Sequence, residues 1–403
     1  MKENKKVPEI RFPEFTDDWE QRKLGELCSL ITKGTTPKDK SGNGEVNFVK
    51  VENIDTDNGE ITSMSKISIE EHEGYLRRSR LEENDILFSI AGTLGRVSVV
   101  KPSILPANTN QALAIIRTNK GYIPYLTTVL KGPAVEDFIR KNPTIGAQPN
   151  LSLEQVNNLD ISYPEYDEQV KIGDYFESLD NLITLHQRKC DKIKELKSCM
   201  LQKMFPKKGE KAPEIRFPGF TDDWEQRKLY EIAEFNPKSE LPETFEYVDL
   251  ESVVGTEMVS HRTETRETAP SRAQRLAQTG DVFFQTVRPY QRNNYLFAKP
   301  DNNYVFSTGY AQMRPKIDEK FLMCFLQTDS FVKVVLDNCT GTSYPAINSN
   351  DLSNLEIVMP ASDDEQIRIG SFITNLDNLI TLHQRKCDEL KELKKGMLQK
   401  MFV

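Results

Sequence analysis

The chain has 403 residues, which at about 100 to 200 residues per domain predicts two or three domains rather than one. Its formal net charge of −8 argues against a uniformly basic nucleic-acid coat protein, and 37% hydrophobic with 28% charged residues is typical of a soluble globular chain. No apolar run approaches the roughly 20 residues that span a bilayer, and the polar first residues lead into no signal segment. We therefore expect a cytoplasmic protein with no membrane contact.

The cysteines and the short motifs favour neither a metal site nor catalysis. The sequence has no C-x-x-C pair, no phosphate-binding glycine loop, no dinucleotide fingerprint and no hydrolase nucleophile motif. We predict no metal site and expect the cysteines to be reduced and mostly buried. They are Cys28, Cys190, Cys199, Cys324, Cys339 and Cys387.

Two long segments recur almost unchanged, so the chain is an internal duplication. Residues 8–24 (PEIRFPEFTDDWEQRKL) recur at 213–229 with one difference, Glu14 against Gly219. Residues 179–205 recur at 376–402 and differ at four of 27 positions. The segments between these repeats diverge, which indicates one fixed scaffold holding two differently tuned surfaces. The alternative is a recent duplication whose middle segments have drifted without purpose.

The first repeat contains paired carboxylates, Asp17-Asp18, which recur as Asp222-Asp223. Their Thr-Asp-Asp-Trp context is typical of a helix cap, so we expect a helix after Trp19 and after Trp224. A metal-dependent nuclease site built from scattered acids is the alternative interpretation of the acidic residues.

Residues 25–165 combine short β-type runs with one helical stretch, which predicts an α+β domain. Strands are expected at 86–90, 96–100 and 112–117, and a helix at 123–140 that breaks at Gly132-Pro133. Several of its side chains have the donor and acceptor groups that read base edges in DNA. These candidates are Arg77, Arg78, Arg80, Arg96, Asn108, Asn110 and Gln111.

Residues 167–205 contain no proline and a single glycine, which predicts one long helix with Asp167 as its N-cap. Apolar residues at heptad spacing form a narrow stripe that needs a partner, and the nearest partner is the helix of the second repeat. If a local two-fold axis crosses the pair, the two helices run antiparallel. The predicted packing residues are Leu179, Leu182, Ile193, Leu196, Met200, Leu376, Leu379, Leu390, Leu393 and Met397.

Two further features of the predicted helices concern polar residues. His186 and His383 fall within the stripe, and we expect them to pack rather than to bind a metal. Residues 186–208 are strongly basic. Such a run usually forms a solvated helix face, and the alternative is a surface that contacts phosphates or a partner protein.

Residues 230–362 parallel the first variable segment. Strands are expected at 282–286, 295–298 and 311–314, and one helix at 320–337. The polar side chains suited to base contacts include Arg262 and Arg266. The remaining candidates are Arg272, Arg275, Arg288, Tyr290, Gln291, Arg292, Asn293 and Asn294.

Over its whole length the chain resembles the DNA specificity subunit of type I restriction-modification systems. The similar segments are the Phe-Thr-Asp-Asp-Trp-Glu opening, the Gly34-Thr-Thr-Pro37 turn and the passage from each variable segment into its helix. The first passage comprises residues 146–152 (GAQPNLS), Pro164, Glu168-Gln169 and Ile172, and the second Pro345, Ile347, Pro360, Glu365-Gln366 and Ile369. The second half has Phe235-Asn-Pro-Lys238 in place of the Gly-Thr-Thr-Pro turn, so its recognition domain resembles a different subtype.

The resemblance implies an α+β fold with two target-recognition domains, 1–165 and 213–362, separated by two long antiparallel coiled-coil helices, 166–212 and 363–403, in a pseudo-two-fold internal repeat. It implies double-stranded DNA as a partner, two modification subunits that use S-adenosylmethionine and two restriction subunits that use ATP and Mg. This chain would itself be non-catalytic and without cofactor. A self-sufficient DNA enzyme and a coiled-coil scaffold with no DNA role are the alternatives.

Overall fold

The computed structural model describes residues 7–141, 149–207, 209–301, 303–341 and 343–402. Residues 1–6, 146–148 of the GAQPNLS passage and Lys208 of the basic run lie outside these described residues. The chain divides into two compact units, the first formed by residues 1–188 with 384–403 and the second by residues 189–383. The division therefore crosses the two long helices. Each unit contains one variable segment, the first half of the helix that follows it and the second half of the other helix.

The first unit is built on a four-stranded antiparallel sheet of order β2-β8-β5-β6 and a three-stranded sheet of order β4-β3-β7. Its strands are β1 (Glu20–Lys23), β2 (Cys28–Lys33), β3 (Val46–Val49), β4 (Ser65–Ile67), β5 (Ile86–Ser89), β6 (Val97–Val99), β7 (Ala107–Thr109), β8 (Leu113–Thr118) and β9 (Asp160–Tyr163). Its helices are α1 (Ile69–Glu73), α2 (Ile123–Leu130), α3 (Pro133–Lys141), α4 (Leu153–Asn157) and the start of α5 (Tyr166–Lys203). The helix predicted at 123–140 thus breaks at Gly132, as expected.

The strand β5 explains how the layers of the first unit are arranged. Ile86 and Phe88 pack in one buried cluster with the helices, whereas Leu87 faces a second cluster with Val49 and Ala107 of the three-stranded sheet. Alternating side chains of a strand point to opposite faces, so a strand covered on both faces needs an uninterrupted apolar run. The sequence Ile-Leu-Phe therefore marks a central strand between a helical layer and a second sheet.

The second unit repeats this plan with sheets of order β11-β20-β17-β18 and β15-β12-β19-β16. Its strands are β10 (Glu225–Lys228), β11 (Ala233–Phe235), β12 (Thr244–Val248), β13 (Val253–Val254), β14 (Glu257–Met258), β15 (Arg262–Thr265), β16 (Ala273–Leu276), β17 (Val282–Gln285), β18 (Tyr295–Leu296), β19 (Tyr304–Ser307), β20 (Tyr310–Pro315) and β21 (Glu356–Met359). Its helices are α6 (Leu229–Ile232), α7 (Glu319–Leu326), α8 (Asp329–Asp337), α9 (Ser349–Ser353) and the start of α10 (Asp363–Lys400). None of the described helices is long and apolar enough to cross a membrane.

A buried ion pair occupies the same position of the central sheet in both units. Asp85 is fully buried before β5 and accepts two hydrogen bonds from Arg117 of β8, at 2.7 and 2.8 Å. Asp281 before β17 accepts the same pair of bonds from Arg314, at 2.9 and 3.0 Å. Each carboxylate raises the pKa of its arginine through these bonds.

The two long helices, α5 and α10, have 38 residues each, or about 57 Å at 1.5 Å per residue. Within the first unit Asp180 pairs with Lys394, and Gln187 accepts from the Cys387 thiol at 3.7 Å. Seven residues forward on α5 thus correspond to seven residues back on α10. Within the second unit the Cys190 thiol donates to the Ile380 carbonyl at 3.9 Å and Lys197 pairs with Asp377 at 2.5 Å, so the contacts again move forward on α5 and back on α10. In each unit, therefore, the two helix segments run antiparallel.

The predicted packing stripe is half correct. Leu179 and Leu376 are buried, and Ile193, Met200, Leu390 and Met397 are partly buried against the cores. Leu182, Leu196, Leu379 and Leu393, however, are 40 to 47% exposed, so their assignment to the packing stripe was wrong. At the seam, where the two helices face each other, the next residue along the helix is used instead. Ile183 is buried in place of Leu182, and Lys197, which pairs with Asp377, takes the place of Leu196.

A second junction joins the constant segments of each unit. Glu168, in the first turn of α5, is fully buried and accepts two bonds from Arg11 at 2.7 Å and one from Trp19 at 3.0 Å. These bonds raise the pKa of Arg11. The Trp19 ring lies edge-on to Phe402, which follows α10, with centroids 6.2 Å apart. The start of the chain, the start of one helix and the end of the other thus meet at one buried carboxylate.

The second unit reproduces this junction. Arg216 donates to Glu365 at 2.6 and 2.8 Å, and Trp224 packs on Phe205 with ring centroids 6.1 Å apart. The one difference is that Trp224 Nε1 is buried with no hydrogen-bond partner among the described residues. Within each unit, therefore, the opening repeat contacts the start of one long helix and the residue that follows the other, which gives the near-identity of the repeats a physical basis.

Some local predictions were wrong. Asp167 lies inside the first turn of α5, where a carboxylate interacts favourably with the helix dipole, and is not the cap. Trp19 and Trp224 are followed by strands β1 and β10, which pair with β9 and β21, rather than by helices. The helix expected at 320–337 is two helices, because Thr328 caps α8 by accepting from Phe331 N. The segment assigned as helix at 166–212 ends at Lys203.

The neighbours Ile183 and Leu182 provide a matched test of the helix seam. We expect Ile183→Ala to lower the free energy of unfolding by about 2 to 4 kcal/mol, because it leaves a cavity in the seam. Leu182→Ala should change it by no more than about 0.5 kcal/mol, since that side chain is already in solvent. Urea unfolding of the full chain measures both values. Equal losses would contradict the observed register.

The buried carboxylates predict a second effect on stability. Glu168→Ala should lower the free energy of unfolding by about 3 to 5 kcal/mol, because Arg11 then lies in a largely buried site without its counter-charge. Glu365→Ala should cost slightly less, since Glu365 has no bond from its tryptophan. Thermal and urea unfolding of both variants test this order. A loss below about 1 kcal/mol, typical of surface ion pairs, would contradict the buried, stabilising role of the Glu168–Arg11 pair.

Candidate nucleic-acid interface

In the first unit, one loop gathers several predicted candidates. Gly34 runs so close to the turn after β7 that a Cβ on it would lie 2.1 Å from the carbonyl oxygens of Thr109 and Asn110. Only glycine fits there, which fixes the neighbouring threonines beside the turn. The Thr36 hydroxyl bonds Gln111, and the Thr35 hydroxyl accepts from Arg78 Nε at 3.3 Å.

We call this exposed patch the first polar surface. It comprises Thr35, Thr36, Arg77, Arg78, Asn110 and Gln111, together with Lys38, whose ammonium lies 4.7 Å from the centre of the exposed Tyr75 ring. Asn110 is half-buried and uses its amide oxygen to accept from Ala112 N at 3.1 Å. Four residues of this surface were not predicted as site residues, although the Gly-Thr-Thr-Pro turn indicated the loop. They are Thr35, Thr36, Lys38 and Tyr75.

Three other candidate residues of the first unit form hydrogen bonds within the fold. Asn108 is fully buried, and its amide bonds the Leu76 carbonyl at 2.9 Å and His72 Nδ1 at 2.5 Å, so its assignment to base contacts was wrong. Arg96 donates to the carbonyls of Val51 and Ile54 at 3.1 and 2.7 Å and closes a turn of the chain. Arg80 Nε donates to the His72 carbonyl at 2.9 Å.

In the second unit the candidates cluster in the loop after β17, residues 286–294, and most of them stabilise that loop. Arg292 donates to the Gln327 carbonyl at 3.0 Å and to Asp329 at 2.5 Å, which ties the loop to the break between α7 and α8. Asn293 accepts from Gly255 N at 2.9 Å. Asn294 is buried and accepts from Gln285 N at 2.9 Å, so its assignment to base contacts was also wrong.

The outward-facing part of this loop is smaller than predicted. Gln291 is exposed but accepts a bond from Gln285 at 2.9 Å. Tyr290 is 50% exposed, and Arg288 lies over the ring of Tyr344, which is 64% exposed. We call Arg288, Tyr290, Gln291 and Tyr344 the second polar surface. Tyr344 was not predicted, because its loop is separated from Arg288 by more than fifty residues of sequence.

The remaining arginines of the second unit differ in environment. Arg272 is exposed, and Arg275 is half-buried, with burial lowering its pKa. Arg262 pairs with Asp249 and Glu264 at 2.8 and 2.9 Å, and Arg266 donates to the carbonyls of Leu241 and Pro242. The contacts of Arg262 and Arg266 are typical of a role in the fold.

The two units thus share a scaffold and differ in their exposed loops. Both have the same central sheet order and the same buried aspartate–arginine pair. The first polar surface is rich in hydroxyl and amide groups, whereas the second combines an arginine with two tyrosines. Such groups can donate to and accept from base edges, stack on bases or bond phosphate oxygens.

Comparison with known proteins identifies the family. A sequence profile of the type I restriction modification DNA specificity domain matches residues 16–195 and again residues 221–392, which together form most of the chain. The chain therefore belongs to the family of type I restriction-modification specificity subunits and contains two copies of that domain.

Individual relatives agree over nearly full length. The type I restriction enzyme MjaVIII specificity subunit of Methanocaldococcus jannaschii is 24% identical over 425 residues, which cover 99% of this chain and 95% of the relative. The crystal structure of the S subunit of a type I restriction-modification system from M. genitalium has the same fold, with a TM-score of 0.66, 14% identity and coverage of 98% and 99%. A chain from a structure of type I R-M complex assembly and conformational transition has a TM-score of 0.51 at 21% identity, with coverage of 95% and 97%.

The buried position of Asn108 leads to a matched prediction. Asn108→Ala should lower the free energy of unfolding by about 1 to 3 kcal/mol, because the Leu76 carbonyl and His72 lose their buried partner. Gln111→Ala, on the exposed surface, should change it by at most about 0.5 kcal/mol. Chemical unfolding of the two variants provides the comparison. Equal stability of both variants and the parent chain would contradict the structural role of Asn108.

Proposed function

We propose that the chain is the DNA-recognition subunit of a type I restriction-modification complex, and that each unit reads one half of a bipartite, asymmetric target in double-stranded DNA. The observation that carries the proposal is the pair of unlike polar surfaces on one repeated scaffold. Two different surfaces are suited to two different half-sites. The first would be read by the hydroxyl, amide and arginine groups around Gln111, and the second by the group around Arg288.

The long helices supply the second element of the proposal. A continuous helix of 38 residues is a rigid spacer, so its length is suited to fixing the number of unread base pairs between the half-sites. Readers on one face of DNA lie about 34 Å apart for each helical turn. The gap in the target would therefore depend on helix length, independently of the residues on either polar surface.

The helices also expose leucines that a partner protein could cover. Each helix carries the same three, at 40 to 51% exposure. They are Leu182, Leu185 and Leu196 on α5, and Leu379, Leu382 and Leu393 on α10. Single exposed leucines are common, but a row repeated on two helices is typical of a docking face. We assign these two faces to two modification subunits, which would methylate adenine with S-adenosylmethionine.

In this proposal two restriction subunits complete the complex and supply the ATP- and Mg-dependent cleavage. The chain itself would be non-catalytic and would direct both activities to the target within the cytoplasm. Methylation or cleavage of DNA by the purified chain alone would contradict this assignment. A chain whose DNA binding at about 150 mM salt shows no sequence preference would instead support a scaffold role, since phosphate contacts alone are weak at that salt concentration.

An exchange experiment tests whether each unit reads one half-site. Residues 230–362 are replaced by the corresponding segment of another specificity subunit, and methylated adenines are mapped across the genome of cells carrying the complete system. We expect one half-site of the target to change and the other half-site and the gap to stay the same. A change in both half-sites would contradict the assignment of one half-site to each unit.

A deletion experiment tests the spacer. Removing two heptads, about 14 residues, from the middle of both α5 and α10 keeps the seam in phase and shortens each helix by about 21 Å. We expect a shorter gap, by up to about six base pairs, with both half-sites intact. The same methylation map gives the result. An unchanged gap in a complex that still methylates would contradict the spacer role.

A further inference from the structure

The loop 286–294 of the second unit holds two arginines in an unusual backbone conformation. Arg288 has φ 54° and ψ 55°, and Arg292 at the other end of the Pro289–Gln291 turn has φ 55°. Residues with a Cβ rarely adopt this left-handed region, and such strain persists only where surrounding contacts enforce it. The two arginines therefore define a loop whose shape is imposed by its surroundings.

Those surroundings use nearly every polar side chain of the loop. Arg292 is bonded to Gln327 and Asp329, Asn293 to Gly255, and Asn294 to Gln285. Pro289 is buried. The loop is thus fixed by its second half, and Arg288, Tyr290 and Gln291 are the side chains of the second polar surface that it carries.

A second loop supports Arg288 from the side. The Arg288 N–H donates to the Pro345 carbonyl at 2.8 Å, and Val287 forms a β-bridge with Ala346. Thr340 and Ala346 exchange backbone bonds at 2.9 and 3.0 Å, which closes the turn that carries Tyr344. The Arg288 guanidinium carbon lies 4.6 Å from the centre of the Tyr344 ring. An arginine over an aromatic ring gains a cation–π attraction and keeps its N–H groups available to acceptors.

Among the residues that the structure describes, no carboxylate forms an ion pair with Arg288. Arg314 and Arg292 of the same unit, by contrast, each pair with an aspartate, at 2.9 and 2.5 Å. A guanidinium that lies over an aromatic ring without a carboxylate partner is suited to an acceptor supplied by another molecule.

We propose that Arg288, which lies over the Tyr344 ring, reads a guanine in the major groove of the half-site bound by the second unit. A guanidinium only donates hydrogen bonds, so a bidentate contact needs two acceptors on one edge. Guanine presents two, O6 and N7, whereas adenine pairs one acceptor with a donor, thymine has one acceptor and cytosine offers a donor. The assignment rests on the proposed role of the chain in DNA recognition and extends it to one residue and one base.

The test introduces Arg288→Ala and Arg288→Lys into the full chain within its complete system and maps methylated adenines across the genome. We expect both variants to accept other bases at one guanine position of one half-site, with methylation of the substituted sites rising about ten- to a hundredfold relative to the parent. Lysine cannot restore the reading because a point charge lacks the planar fork. The other half-site and the gap should stay as in the parent, which also shows that the variants fold and assemble.

Variants of Tyr344 distinguish the contribution of its ring from that of the Arg288 guanidinium. Tyr344→Phe retains the ring face and should leave the target unchanged, whereas Tyr344→Ala should relax the same guanine position as Arg288→Ala. Arg368→Ala serves as a matched control, since Arg368 also lies over an aromatic ring, Phe220 at 5.3 Å, but belongs to neither polar surface. It should leave the target unchanged.

Three outcomes would overturn the inference. A uniform decrease in methylation at all sites in Arg288→Ala, with the target unchanged and methylation restored in Arg288→Lys, would show that Arg288 contacts a phosphate. An unchanged target at unchanged extent would show that Arg288 contacts no DNA. Loss of all methylation by Arg288→Ala, with Arg288→Lys and Tyr344→Ala keeping the parent target, would show a purely structural role. A parent chain without any methylated target would instead be a failure of the proposed function itself.

Discussion

The buried carboxylates of Glu168 and Glu365 are the contacts on which the rest of the structure depends. A carboxylate in a protein interior is costly unless opposite charge and hydrogen bonds surround it, and here an arginine of the opening repeat supplies both. The same junction receives the aromatic residue that ends the other long helix. A change in any one of these segments therefore requires changes in the others, which is consistent with the near-identity of the repeats.

The variable segments follow a different constraint. Their sheets need only a few fixed positions, above all the Asp85–Arg117 pair in the first unit and Asp281–Arg314 in the second, together with apolar residues on both faces of the central strands. The loops that leave those strands carry little of the core, so their polar residues can differ without loss of the fold. In this way a chain of net charge −8 presents polar surfaces that contain arginines.

Much of this organisation was predictable from the sequence. The proline-free repeats predicted both long helices, and the apolar runs near Asp85 and Asp281 predicted the central strands. The seam was only half predictable, because Leu182 and its neighbour Ile183 are both strongly apolar and the choice between them depends on the partner helix. The burial of Asn108 and Asn294 could not be predicted either. The sequence does not distinguish an asparagine that forms hydrogen bonds inside the fold from one that faces a ligand.

In the proposed function, this chain, and no other component, determines which DNA sequence is modified. Mapping methylated adenines genome-wide in cells that carry the complete system, with and without the gene for this chain, tests it most directly. We expect one two-part, asymmetric sequence with a fixed gap that is methylated only when the gene is present. The same methylated sequence in cells without the gene, or an absence of any two-part methylated sequence in cells with it, would show that this chain does not determine the target.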